Sequence, residues 1–155
     1  MTTSPLSPLY HVGIVVPDLD EAQATVTDQL GITWGPVLHL DATEVRAGDD
    51  HDLVLPTTIC YSVEAPHLEL IQEVPGTVWT CNEHSNLHHI GFWSDDLGGS
   101  SAGLSAAGCP LQLCGRSGAV APASWAYHRN ELGIRVEIVD AGIRDAMAFL
   151  FEPAS

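Results

Sequence analysis

Two histidines and two glutamates are the residues of this chain whose types and spacing point to chemistry. His11 stands in "LYHVGIVVPDL", His89 in "LHHIGFWSDDL", Glu69 in "HLELIQ" and Glu137 in "RVEIVD". Each lies in an apolar, strand-like run, so alternation sets each on the face opposite its large apolar neighbours. A carboxylate in such a run is costly to bury unless it is paired, protonated or bound to metal. Two imidazoles and two carboxylates suit one divalent ion, whether Mn, Fe, Co, Ni or Zn, and leave two positions of an octahedron free. An ion with free positions can act as a Lewis acid.

The four residues belong together because the chain repeats itself. At an offset of 78 (89 − 11), Leu9, His11, Gly13, Asp18 and Leu19 match Leu87, His89, Gly91, Asp96 and Leu97. The closing strands align Glu69 with Glu137, which is 58 residues from histidine to glutamate in the first unit (69 − 11) and 48 in the second (137 − 89). His88 aligns with Tyr10, so the symmetry makes His89 the ligand and His88 a bystander. A pseudo-twofold arrangement brings His11, Glu69, His89 and Glu137 into one curved sheet.

Stepping outward, each unit reads βαβββ. A strand over Tyr10–Val16 precedes Asp18, an N-cap with Glu21 at capping-box spacing, and Gly31 stands just past the helix end. Strand-like runs follow near 34–40, 57–64 and 67–74, then near 111–115, 123–129 and 134–139 in the second unit. The acidic stretch 41–52 reads as a loop, and "TVWTCNEHSN" as the linker between units. The expectation is an α+β fold: two βαβββ modules, 9–76 and 87–140, forming a cupped eight-stranded mixed sheet with helices outside. With a terminal helix over 140–151, whose Ile143, Ala146, Met147 and Leu150 share one face, they form one domain over 1–155.

The net charge of −15, with arginine as the sole cationic residue type, opposes nucleic acid and anionic membrane surfaces as partners. No run is long and apolar enough to span a membrane. The four cysteines have no CxxC spacing and no export signal is visible, so reduced thiols and a cytoplasmic location are expected.

"YHVGIVVPDLDEA", "HLELIQ", "HHIGFWSDDL" and "IRVEIVD" resemble the metal-binding strands of the vicinal oxygen chelate superfamily, the group of glyoxalase I, methylmalonyl-CoA epimerase, extradiol dioxygenases and bleomycin-type resistance proteins. The resemblance implies one divalent ion held by His11, Glu69, His89 and Glu137 inside the cup, and a small oxygenated substrate. It implies proton transfer beside a carbonyl, as in an isomerase, epimerase or lyase. The alternatives are an extradiol-type dioxygenase and a small-molecule binding or resistance protein. Glu69, ahead of Glu137, is the expected base, since no carboxylate stands in the body of the third strand. Val15, Trp93 and Tyr127 or His128 are expected to line the cup. Val15 and Glu73 occupy the positions at which glyoxalase I carries glutathione anchors, which argues against a glutathione substrate. One chain holds all four ligands, so a monomer completes the site, although the fold also forms homodimers by exchanging modules.

Overall fold

Asp18 and Gly31 bracket the first helix as their types require. The Asp18 carboxylate accepts the Glu21 amide at 2.8 Å, and Gly31, at φ 69°, sends its own amide to the Thr27 carbonyl. Asp96 repeats the cap in the second unit, accepting the Gly99 amide at 2.9 Å. The computed structural model describes residues 6–155; residues 1–5, the start of the expected 1–155 domain and of the segment read for export signals, lie outside the described residues.

The elements are β1 (Leu6–Val16), α1 (Leu19–Leu30), β2 (Leu38–Ala47), β3 (Asp52–Tyr61) and β4 (His67–Gln72), then β5 (Leu87–Ser94), α2 (Leu97–Ala106), β6 (Leu111–Gly115), β7 (Trp125–Arg129) and β8 (Arg135–Asp140). The eight strands close in the order β1-β4-β3-β2-β6-β7-β8-β5. The pairs β1–β4 and β5–β8 are parallel, and every other pair is antiparallel. This is the expected α+β architecture, with the cup closed into a barrel by the β1–β5 and β2–β6 pairings.

Strand alternation distributes the apolar residues among three places. Val15, Val45, Ile71, Trp79, Leu113 and Tyr127 pack inside the barrel. Val16, Leu19, Cys60 and Leu70 pack under α1, and Cys114, Ala126 and Ile138 pack with Leu97 and Leu104 of α2. Glu69 and Glu137 therefore point inward because Leu70 and Ile138 point outward.

Two expectations are corrected. The stretch 41–52 is mostly strand: β2 runs to Ala47 and β3 begins at Asp52, with a short turn between them. Its charges stay on the outer surface, where Arg46 bonds Asp52 at 2.7 Å and Arg116 approaches Glu44 at 3.4 Å. Asp49 and His51 pair in the turn at 3.0 Å, both largely exposed. The C-terminal segment is three short turns rather than one helix: 3-10 over Ala141–Ile143, α over Arg144–Met147 and 3-10 over Ala148–Phe151. Contact with the barrel tightens it. Phe151 stacks on His67 at 4.2 Å and meets Tyr61 edge-on at 5.2 Å, while Ile143, Met147 and Leu150 cover the barrel mouth. Among the described residues, no helix is long and apolar enough to cross a membrane.

Candidate metal centre

Register assembles the site. The β1–β4 pairing sets Gly13 beside Glu69, and β1–β5 sets Gly13 beside His89 and His11 beside Gly91. The β5–β8 pairing sets Gly91 beside Glu137. Two rows cross the barrel wall, Glu69–Gly13–His89 and His11–Gly91–Glu137, each with a glycine in the middle. Those glycines are steric requirements. A Cβ on Gly13 would fall inside the His89 ring, and one on Gly91 inside the His11 ring.

All four side chains are buried, with His11 at 0%, Glu69 and His89 at 4%, and Glu137 at 6% exposure. His11 Nε2 and His89 Nε2 face each other at 2.7 Å. Glu137 Oε2 lies 2.8 Å from His11 Nε2 and 3.1 Å from His89 Nε2. Glu69 Oε2 lies 3.0 Å from His89 Nε2 and 3.5 Å from His11 Nε2. One donor atom from each residue lies within 4.8 Å of all the others.

The arrangement fits a divalent ion. Bonds of about 2.1 Å set neighbouring donor atoms roughly 3 Å apart around a metal. Glu69 Oε2 and Glu137 Oε2 are buried yet accept no well-aligned hydrogen bond, which is costly for carboxylates unless a cation stands between them. The same pull acts on protons. Burial disfavours charge on His89, but the Glu137 and Glu69 carboxylates outweigh it and raise that imidazole to about 9. For Glu137, burial favours the neutral acid; His89 and His11 overcome it and hold the carboxyl below the usual range.

The second row of contacts is unequal. Tyr61 donates its hydroxyl to Glu69 Oε1 at 2.7 Å, because the β3–β4 register sets Tyr61 opposite Glu69. Among the described residues no hydroxyl bonds Glu137 in this way, and its close contacts are those of Oε2 with the two imidazoles. His88 is buried against His89, with the two Nδ1 atoms 2.8 Å apart and His88 Nε2 2.9 Å from the Val78 carbonyl. Burial, with His89 and Arg135 nearby, pushes His88 down to about 3, so its ring is neutral. The repeat did not signal these contacts, because the partners of His88 are the neighbouring His89 and a linker carbonyl.

Beside the four side chains lies a cavity of about 310 Å³. Leu38, Leu40, Ile59, Ile71, Trp79, Trp125 and Val139 line its walls, with Ile143, Met147 and Leu150 from the C-terminal segment. Its polar edges come from Thr43, Thr57, Tyr61, Ser124 and Tyr127, with Glu69 and Glu137 at one end. The Thr43 and Thr57 hydroxyls are buried without partners among the described residues. Burial, then the nearby Glu137 and Glu69 charges, push Tyr127 well above the ordinary phenol range and keep it protonated. Its oxygen accepts the Trp79 indole N–H at 3.2 Å, leaving its own proton free.

Of the residues expected to line the cup, Tyr127 does so and three others lie elsewhere. Val15 is 1% exposed and fills the barrel interior against Trp79 and Tyr127. Trp93 is covered by Tyr10, stacked at 4.2 Å, and lies 4.8 Å from the Arg144 guanidinium. The register break around Tyr10 in β1 accounts for that cover. His128 faces α2: its Nε2 pairs with the Ser101 hydroxyl at 2.9 Å, and its Nδ1 donates to the Cys109 carbonyl at 2.8 Å. Glu64 is equally remote from the ligands, accepting the Thr33 amide at 3.2 Å on the surface. Sequence reasoning missed Tyr61, Thr43 and Thr57. Strand parity carried a signal for Tyr61, and the bulge between Leu40 and Thr43 hid the other two.

The profile of the glyoxalase/bleomycin resistance protein/dioxygenase superfamily matches residues 10–127. The chain belongs to that superfamily. Among solved structures it is similar to methylmalonyl-CoA epimerase from Mycobacterium tuberculosis, at 20% identity and a TM-score of 0.61, covering 90% of this chain and 91% of that one. A Streptomyces coelicolor methylmalonyl-CoA epimerase in complex with 2-nitronate-propionyl-CoA matches at 17% identity and TM-score 0.59, over 87% and 97% of the two chains. A variant of 4-hydroxymandelate synthase from Streptomyces coelicolor matches at 14% and 0.55, over 90% of this chain and 50% of that one. At these identities the likeness is one of fold. A search of curated protein sequences finds no match.

Proposed function

We propose that this protein is a divalent-metal-dependent enzyme that moves a proton next to the carbonyl of a small oxygenated substrate, as an isomerase, epimerase or lyase. One observation carries the reading: four buried donor atoms within 4.8 Å of one another beside an apolar cavity. A bound divalent ion supplies Lewis acidity, polarising a carbonyl that it chelates and stabilising negative charge on its oxygen.

The side chains supply the rest. Glu137 is the base in this reading. Its carboxylate is free of the hydroxyl that holds Glu69, so it can turn toward a substrate C–H. Glu69, with Oε1 held by Tyr61, keeps its position. Tyr127 directs its free proton toward a substrate oxygen, and the apolar walls exclude water, which strengthens each polar contact.

The cavity also limits what enters. Its volume of about 310 Å³ is at the small end for ligand sites, and among the described residues no arginine lines it. Arg46 is committed to Asp52, Arg116 to Glu44 and Gly118, and Arg135 to Gln112 and the His88 carbonyl. Among the described residues nothing lining the cavity neutralises phosphates, which favours a compact substrate whose reacting part carries none. Glutathione is disfavoured as well, since Glu73 accepts the Cys81 amide at 2.8 Å and Val15 is buried in the core. Glutathione-dependent turnover of methylglyoxal is expected to stay below about 10 per second, a typical enzymatic rate.

The direct test is elemental analysis of the purified protein, followed by deuterium exchange of small α-hydroxy ketones and keto acids in deuterated water. One ion per chain with C–H exchange supports the reading. Oxygen uptake without exchange points to dioxygenase chemistry, and ligand binding with no metal after reconstitution points to a binding protein.

A further inference from the structure

We infer that His88 is a positioning residue: by accepting the Nδ1 proton of His89, it leaves Nε2 as the nitrogen of that ring that faces an ion in the donor cluster. The inference rests on the metal-binding reading above. A carbonyl oxygen only accepts, so the 2.9 Å contact between His88 Nε2 and the Val78 carbonyl places a proton on Nε2. A ring whose Nε2 donates in this way presents Nδ1 as its acceptor, and only one proton fits between two nitrogens this close. That Nδ1 lies 2.8 Å from His89 Nδ1, which must donate across the gap. Nε2 is thereby the His89 nitrogen left to face an ion, giving up the proton it holds when the ion binds; it lies 2.7 Å from His11 Nε2 and 3.0 Å from Glu69 Oε2. A backbone carbonyl in the linker between the two halves thereby orients a ligand in the second half, through one intervening imidazole. Hydrogen bonds to the far nitrogen of a ligating histidine set its tautomer and raise its basicity.

His11 shows what the brace adds. Its Nδ1 is buried with no partner among the described residues, and the position matching His88 is Tyr10, which meets the His11 ring edge-on at 4.3 Å. At the nitrogen turned away from the cluster, packing surrounds His11, whereas a hydrogen bond holds His89. The brace is itself anchored, since Arg135 Nη1 donates to the His88 carbonyl at 3.0 Å and the Tyr127 ring lies 5.2 Å from the His88 ring.

Two variants and one spectrum test this. His88→Phe keeps a flat ring but has no acceptor, whereas His88→Asn sets an oxygen near the place of Nδ1. Zinc affinity, measured on stripped full-length protein against a chelating dye, is expected to weaken about 10–100-fold in His88→Phe. In His88→Asn most of it returns. Nitrogen-15 spectra of histidine-labelled wild type are expected to show a protonated His89 Nδ1 and a His88 protonated at Nε2 alone, with or without zinc. Wild-type affinity in His88→Phe overturns the inference and leaves the metal reading intact. Equal losses in both variants overturn it too, since volume alone would then account for them. A His89 Nδ1 without a proton overturns it whether or not the variants fold. A wild type that binds no zinc and no other divalent ion overturns the metal reading, and this inference with it.

Discussion

Gly91→Ala is expected to abolish divalent-metal binding and to destabilise the fold by about 1–3 kcal/mol, the usual cost of overpacking a filled interior. The added methyl would occupy the place of the His11 ring. That ring cannot retreat, because it is fully buried between Tyr10, Tyr61 and His89. Moving His11 removes one ligand and leaves two carboxylates facing a distorted set, so the loss of affinity exceeds that of a simple truncation. Gly103→Ala is the matched control. It sits in α2 with nothing within 4 Å of the new Cβ, and Ala in an open helical position is worth roughly 0.5–1 kcal/mol over Gly. Opposite shifts in urea midpoint, with zinc binding lost only in Gly91→Ala, are the expected pair of results. Normal loading of Gly91→Ala would show that the ring is not where the site requires it.

Glu137→Gln is expected to keep the barrel and most metal loading while lowering substrate C–H exchange by about 10²–10⁴-fold, the usual contribution of a general base. The amide oxygen still donates electrons, but the group no longer accepts a proton at neutral pH. Glu69→Gln is the comparison. Glu69 is the first choice as base from the sequence, but the hydroxyl of Tyr61 holds one of its oxygens in place. Its amide variant is expected to lose less exchange than Glu137→Gln. A larger loss in Glu69→Gln would return the role to Glu69.

Much of the site was legible because duplication writes the same local constraint twice. His-x-Gly recurs since each histidine lies over the other unit's glycine, and a glutamate inside an apolar strand has few stable explanations. Helix α1 was legible through Asp18, Glu21 and Gly31, where capping depends on local residue types. Depth was harder to read than side. Parity sent Val15 into the barrel, but not how far it lies from the open end, and the register break around Tyr10 put a ring over Trp93. The span 41–47 looked like loop because its outward face meets water and takes charge freely, and strand hydrogen bonding does not depend on that face. The C-terminal segment kept its expected apolar residues while losing the helix, since docking on the barrel mouth outweighs the weak propensity of a short segment. His88 makes its contacts with His89 and a linker carbonyl, and the threonines follow a bulge in the β2–β3 pairing, which no local pattern announces; Tyr61, opposite Glu69 on the neighbouring strand, was within reach of strand parity.

The closed order of the strands also governs how the chain can reach its native state. Half of the barrel is the sequence β1-β4-β3-β2, and in isolation its outer members β1 and β2 have no partners on one side. Each finds its mate only across the midpoint of the chain, at β5 and β6. Unpaired borders of this kind recruit other chains. During synthesis the first half emerges with both borders open and waits until residues as far on as Gly115 have left the ribosome. Joining segments so far apart carries the entropy of closing long loops, which slows β-rich folding. Aggregation pressure is therefore greatest on a half-made chain and falls once both seams close, in the same event that delivers the second histidine to the first.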